Sequence, residues 1–261
     1  MLDTPSSIHH QQVPFPRGIF FDMDGTLLLM TQNAEQTWLD VFTHFGPQHA
    51  LSPAFLSKVM HQVYIDYKQE IAEDEAKQRR DRLHPFAVRK ELVEQVLRLA
   101  GKADAVLAEN MVHLYESLRD KHRQLTPFAI EILNSLKKQH IHLALLTNGN
   151  ATYQRRKIEQ HHLAPFFEGI FIEEELGVGK SDTSMYQAAL EQLHLQAQET
   201  WMIGDDLVFD IATPQRLGMF TFWFDPHEKS LPLHASIYPD RIIHALPEIL
   251  QIVASLKNTS S

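Results

Sequence analysis

The chain has 261 residues, of which 44% are hydrophobic and 22% charged, and a formal net charge of −9. That composition fits a soluble globular protein and excludes fibrous and disordered classes. The acidic balance also argues against a nucleic-acid partner, whose phosphates require Lys and Arg in excess. The chain contains no cysteine, so disulfides, thiolate zinc sites and a cysteine nucleophile are all ruled out; a cytoplasmic location fits.

In chain order, residues 1–16 are polar, carry three prolines and lack the apolar core of a signal peptide. They read as a loose N-terminal tail. Gly18–Phe21 is a short apolar run that ends on Asp22. From residue 31 to 121 there is no strand pattern. Apolar residues there recur at helical spacing instead: Trp38, Phe42 and Phe45; Phe55, Val59, Val63 and Tyr67; Val88, Leu92, Val96 and Leu99; Val106, Met111, Leu114 and Leu118. Residues 70–82 are densely charged and read as a solvated helix face or loop.

After residue 121 apolar runs resume. Thr126 and Pro127 read as the cap and first residue of a helix carrying Ile130, Leu133 and Leu136. The run 141–146 ends on Thr147 and Asn148, Gly169–Ile172 on three glutamates, 200–203 on Gly204, Asp205 and Asp206, and 219–224 on Asp225. Helices are expected between these runs, one capped at Ser181 or Asp182 and a last one starting at Pro247. Runs that are apolar throughout, rather than alternating, suit strands covered on both faces. The pattern predicts an α/β fold with a doubly wound parallel sheet over 17–30 and 122–261, and a smaller all-helical domain inserted at 31–121. No run approaches the ~20 apolar residues that span a bilayer, so no membrane partner is expected.

Ligands of open parallel sheets bind beyond the carboxyl ends of the strands. Asp22, Asp24, Thr147, Asn148, Asp205 and Asp206 all fall at such ends. Like charges about 4 Å apart cost on the order of 4 kcal/mol per pair at an effective dielectric of 20. A hard divalent cation with oxygen ligands removes that penalty, and Mg2+ suits carboxylates, water and phosphate. Sixteen histidines are present, but they are scattered, form no HExxH pattern and adjoin none of these aspartates, which disfavours zinc. Two aspartates two residues apart can divide the labour of phosphoryl transfer: Asp22 as nucleophile, Asp24 as acid and then base. Gly25 lets the chain turn away, and Thr26 is placed to hold the turn.

These segments resemble the haloacid dehalogenase-like hydrolase superfamily from about residue 17 to 256. Asp22-Met23-Asp24-Gly25-Thr26-Leu27, Thr147-Asn148-Gly149, Lys180 within Gly177-Val178-Gly179-Lys180-Ser181-Asp182, and Gly204-Asp205-Asp206 with Asp210 match its four motifs in order. The superfamily often has proline after the lysine, where this chain has Ser181. The resemblance implies a Rossmann-like core with a helical cap at 31–121, and a Mg2+-dependent phosphatase acting on a small phosphorylated metabolite through an aspartyl-phosphate on Asp22. It assigns Thr147, Asn148 and Lys180 to the phosphate, Asp22, Asp205 and the Asp24 backbone carbonyl to the metal, and proton transfer to Asp24. For Asp206 and Asp210 two roles stay open: ligation through water or, for Asp210, orientation of Lys180. Asp24 argues against dehalogenation, because halide departs without a proton. A sugar-type phosphomutase would share these motifs, and a non-catalytic binding module is a third reading that the intact motifs disfavour. The Thr-Asn-Gly form is similar to that of some nucleotide and acylneuraminate phosphatases; the choice among nucleotide, sugar phosphate and phosphoglycolate stays open, as does the oligomeric state.

Overall fold

A computed structural model gives the structure of residues 13–231 and 235–259. Its centre is a six-stranded sheet, every neighbouring pair parallel, in the order β5-β4-β1-β6-β7-β8. The strands are β1 (Gly18–Phe21), β4 (His142–Thr147), β5 (Gly169–Ile172), β6 (Thr200–Gly204), β7 (Phe220–Phe224) and β8 (Arg241–Ile243). Strand alternation explains the continuous apolar runs. Ile19, Phe21, Leu143, Leu145, Trp201 and Ile203 face one hydrophobic cluster, while Phe20, Ala144, Leu146 and Met202 face another. Helices α6 (Ala129–Lys138) and α11 (Pro247–Thr259) cover the first face; α9 (Thr183–Gln192) covers the second. Helix α7 (Ala151–Gln160), the short turns α8 (Glu173–Leu176) and α10 (Thr213–Gln215) complete the crossovers.

Between β1 and β4 the chain leaves the sheet. Five helices, α1 (Ala34–Phe45), α2 (Pro53–Ile71), α3 (Glu75–Leu83), α4 (Pro85–Leu99) and α5 (Ala105–Lys121), precede α6 in this interval. Asn33, Ser52, Asp74 and Asp104 cap α1, α2, α3 and α5 by accepting a backbone N–H. These helices have their own core, including Val41, Phe42, Leu56, Val93, Val96 and Met111. Trp38 stacks between Phe42 and Tyr115, with ring centroids 5.7 and 4.1 Å away, so these aromatics are used in packing. A two-stranded antiparallel ribbon, β2 (Leu28–Met30) with β3 (Arg123–Leu125), ties the departing chain to the returning one.

Several local expectations are corrected. Residues 1–12 of the expected tail lie outside the described residues, but Val13 is buried in the first cluster and the Pro14 carbonyl accepts a hydrogen bond from Trp201 Nε1 at 3.2 Å. Thr126 does not cap α6, which begins at Ala129 after Phe128 takes a left-handed φ of 66°. The Thr126 hydroxyl instead donates to the Thr26 carbonyl at 2.5 Å and secures the turn after Asp24; the Thr26 hydroxyl itself is buried without a partner. Leu99 and Val106 point to solvent, their places in the helical core taken by Leu97 and Leu107. Strands β2, β3 and β8 are only three residues long, too short to show a period.

Candidate active site

The strand order turns over at β1, with β4 on one side and β6 on the other, and the crevice of such a sheet opens at this switch point. Register brings the ends level: Phe21 pairs with Leu145 and with Ile203. The Asp22 N–H then donates to the Ile203 carbonyl at 2.9 Å. Asp22, at the end of β1, thus stands between Thr147 at the end of β4 and Asp205 just past β6.

Asp22 and Lys180 are both buried. Lys180 Nζ donates to Asp22 Oδ1 at 2.5 Å and to Asp210 Oδ1 at 2.7 Å. Asp22 Oδ2 is buried with no hydrogen-bond partner. Asp22, Asp205 and Asp210 each offer an oxygen within 4.8 Å of the others. Three carboxylates around one ammonium leave an excess of negative charge, with Asp22 and Asp210 buried and Asp205 at the cleft. Burial, followed by the charge of Asp22, pushes Asp205 up to about 7; burial, opposed by Lys180 and reinforced by Asp22, pushes Asp210 up to about 8. The orphaned Asp22 oxygen and this acidic excess fit a divalent cation, with Asp22 and Asp205 as the carboxylates able to hold it. Asp205 keeps a side open to the cleft.

The two residues left open by sequence separate here. Asp206 Oδ1 accepts from the N–H groups of Val208 and Phe209, both at 2.8 Å, and so caps the π-helical turn at Leu207–Ala212 that runs into Pro214. Asp210 uses Oδ1 on Lys180 and Oδ2 on the Asp206 N–H at 3.1 Å. It therefore orients the lysine.

Asp24 points away from this cluster. Lys157 Nζ donates to its Oδ2 at 2.6 Å and Gln154 Nε2 to the same oxygen at 3.0 Å. Partial desolvation in the cleft works to raise this carboxyl, which is still 43% exposed, but Lys157 and then Gln154 outweigh it and hold Asp24 below the usual carboxylate range. Gln154, itself buried, also donates to the Thr147 hydroxyl at 2.5 Å and to the Asn148 carbonyl at 2.9 Å. One amide thus fixes the β4 terminus relative to Asp24. Asn148 Oδ1 accepts from the Lys180 N–H at 2.7 Å, which couples the loop carrying Lys180 to β4.

Sequence reasoning missed Gln154, Lys157, Arg82 and Glu173. Gln154 and Lys157 are three apart on α7 and so share a helix face; nothing in the sequence says that this face looks at β1. The charged stretch 70–82 is not wholly solvated, because Arg82 makes a two-pronged pair with the fully buried Glu173, which also accepts from the Gly149 N–H at 3.0 Å. A cleft of about 750 Å³ runs between the helical module and the sheet, lined by Arg89, Tyr115 and Arg119 on one side and Asp24, Asn148 and Asp205 on the other.

The family model for haloacid dehalogenase-like hydrolases matches residues 16–218. The chain is 25% identical over 248 residues to a glyceraldehyde 3-phosphate phosphatase of Methanocaldococcus jannaschii, spanning 92% of this chain and 98% of that protein. It is 26% identical over 248 residues to the N-acylneuraminate-9-phosphatase of Rattus norvegicus, spanning 92% and 94%. Among solved structures, the magnesium-bound HAD-hydrolase YfnB of Bacillus subtilis superposes with a TM-score of 0.66 at 24% identity over 91% of this chain and 98% of that one, a likeness of fold. With the four motifs gathered at one sheet end and most of the chain matched, the protein belongs to the haloacid dehalogenase-like hydrolase family.

Proposed function

We propose that this enzyme, a hydrolase of phosphate monoesters, cleaves a small phosphorylated metabolite through an aspartyl-phosphate on Asp22. The observation that carries this reading is the unequal state of the Asp22 oxygens: Oδ1 is held by Lys180, while Oδ2 has no partner. A carboxylate fixed on one side and bare on the other is prepared to attack or to ligate.

In the first half-reaction an Asp22 oxygen forms a bond to phosphorus and the ester oxygen leaves, taking a proton from Asp24; the Lys157 and Gln154 contacts that keep Asp24 ionised without substrate must loosen for it to carry that proton. In the second, Asp24 takes a proton from water; the water oxygen attacks phosphorus and releases inorganic phosphate and the Asp22 carboxylate. Lys180 stays protonated because Asp210 and Asp22 outweigh the cost of burying it, and its charge steadies the transferring group. The Thr147 hydroxyl and the Asn148 loop would bind phosphate oxygens. Mg2+, held by Asp22, Asp205 and the Asp24 backbone carbonyl, would supply charge neutralisation on those oxygens. Helices α1–α5 would act as a cap that excludes water from the cleft. The relatives named above act, by name, on glyceraldehyde 3-phosphate and on N-acylneuraminate 9-phosphate, which supports a small phosphorylated metabolite as substrate.

The test is release of p-nitrophenol from p-nitrophenyl phosphate by the purified protein with Mg2+, with EDTA, and as Asp22→Asn. Metal-dependent turnover that disappears in the variant is expected. Turnover that persists in Asp22→Asn would overturn the mechanism.

A further inference from the structure

The cleft wall beside Asp24 carries a cluster of cations that the reaction above does not use. Arg89 on α4, Arg119 on α5, Arg123 on β3, and Arg156 and Lys157 on α7 all line the same cavity. Three carboxylates answer them. Glu116 accepts from Arg89 at 3.1 Å and from the Tyr153 hydroxyl at 2.5 Å. Asp120 is shared by Arg123 at 2.5 Å and Arg156 at 3.0 Å. Asp24 takes Lys157.

On this part of the wall five cations face three anions, a local excess of positive charge in a chain whose net charge is −9; the other charged lining residues are Asp81, Asp205 and Asp225 against Arg82 and Lys229. Arg119 makes the imbalance concrete. Among the described residues it has no carboxylate partner; its Nη1 donates only to the Gln32 carbonyl, at 2.6 Å. Partial burial works against its charged form, and Arg123 and Arg89 add repulsion that Tyr115 and Asp24 offset only in part. The Nε donors of Arg123 and Arg156 are buried with no acceptor, and the Arg123 side chain is only 10% exposed. A cluster that served only to glue the ribbon to the helices would balance its charges and satisfy its donors. This one leaves both unsatisfied, on the wall of a cleft.

Its position says which part of a substrate it would meet. Lys157 and Gln154 hold Asp24, which serves the leaving group, whereas Lys180 and Thr147 lie on the side of the transferring phosphoryl group. From this juxtaposition we infer that Arg119, Arg123 and Arg156 form a subsite for a second anionic group, so that the substrate is a phosphate monoester whose leaving group itself bears a carboxylate or a further phosphate. Planar guanidinium groups suit either anion, because both present paired oxygens to parallel N–H donors. This inference rests on the phosphatase reading of the same site.

The test compares matched esters on the Mg2+-loaded enzyme: 6-phosphogluconate with glucose 6-phosphate, and fructose 1,6-bisphosphate with fructose 6-phosphate. The acidic member of at least one pair is expected to have a kcat/KM roughly 10- to 100-fold higher, as charge-assisted hydrogen bonds would provide. Preference in the first pair alone identifies a carboxylate, and in the second alone a phosphate. Arg119→Gln and Arg156→Gln should each bring the ratio towards one through KM, with kcat for the acidic ester changed less than about threefold. Arg119→Lys, which keeps the charge, should retain part of the preference and covers the case in which Arg119→Gln does not fold. Calorimetric binding of the same pairs to the Asp22→Asn protein gives a readout independent of turnover. An enzyme that hydrolyses p-nitrophenyl phosphate but treats both members of each pair alike would overturn the subsite and leave the phosphatase reading standing. A preference unchanged in both arginine variants would overturn its assignment to these residues. Absence of all turnover would count against the phosphatase reading, and the calorimetric ratio would then decide the subsite alone.

Discussion

Arg82 on α3 joins the helical module to the sheet through Glu173 at the carboxyl end of β5, with Nε 2.9 Å from Oε2 and Nη2 2.9 Å from Oε1. Glu173 is fully buried, and its second support, Arg79, is farther away at 3.8 Å. Because the same carboxylate receives the Gly149 N–H, the pair bears on the loop after β4 as well as on the position of α3.

Removing one partner of a buried ion pair leaves an uncompensated charge and costs about 3–5 kcal/mol. Arg82→Ala is therefore expected to lower stability to urea by about that amount, and Glu173→Gln, which removes the charge but keeps the shape, by clearly less. Equilibrium denaturation of the two variants beside the unmodified protein checks the order. A loss below about 1 kcal/mol for Arg82→Ala, as for an exposed pair, would show that the bridge contributes little.

Lys180 holds two carboxylates apart, and its loss should be felt in both stability and rate. Lys180→Met is expected to lower kcat roughly 100- to 1000-fold, the effect of deleting one preorganised charge at a transition state. It should also be destabilised by leaving Asp22 and Asp210 without their cation. Added Mg2+ should recover part of the melting temperature and none of the rate. Recovery of kcat by Mg2+ would mean that the lysine only balances charge.

The raised carboxyls give a pH dependence with a definite sign. In the protein stripped of cations, Asp205 and Asp210, pushed up to about 7 and about 8, bind protons more tightly folded than unfolded. Their contribution to stability is present at low pH and is lost as pH rises through 7 and 8. The chelated protein should therefore melt lower at pH 8.5 than at pH 6 as far as these groups are concerned, and Mg2+ should cancel that loss. Since the cation must displace the same protons, its affinity should rise over this range with proton release on binding. Calorimetry in buffers of different ionisation enthalpy reads both effects; pH-independent affinity would remove Asp205 from the metal site.

Two glycines define how closely the acidic side chains approach the backbone. Gly25 has φ +98°, and a Cβ there would lie 2.3 Å from Asp205 Oδ2. At Gly204 a Cβ would lie 2.2 Å from the Asp210 carboxyl carbon. Gly25→Ala adds backbone strain of about 1–3 kcal/mol to this displacement, so it should weaken Mg2+ binding and stability together. Gly204→Ala should shift Asp210 and raise the KM for Mg2+ less than it lowers kcat, because the residue displaced is the one orienting Lys180. Wild-type kinetics in Gly204→Ala would show that the contact is soft.

Much of the site was legible because its residues are short-range features of the chain. An apolar run followed by Asp22-Met23-Asp24-Gly25, or by Gly204-Asp205-Asp206, announces a buried strand and the polar loop at its carboxyl end. The lack of alternation within the runs reports burial on both faces, which points to a parallel α/β sheet before any contact is known. Asp206 and Asp210 show where that legibility ends. Both are acids past the same strand, four residues apart, and only the π-helical turn between them makes one a cap and the other the partner of Lys180.

What the sequence determined by itself was the fold class, the insertion of a helical module, and the four motifs, since each depends on local periodicity or on residues adjacent in the chain. What only the tertiary structure decided was which distant side chains meet: Gln154 and Lys157 on Asp24, Arg82 on Glu173, and the arginines of α4, α5, β3 and α7 on one cleft wall. These pairings span 91 to 133 positions where Arg82 meets Glu173 and Lys157 meets Asp24. Charged residues on helices read alike whether they face water or a partner, and only the packing of those helices onto the sheet removes the water that would otherwise be their partner.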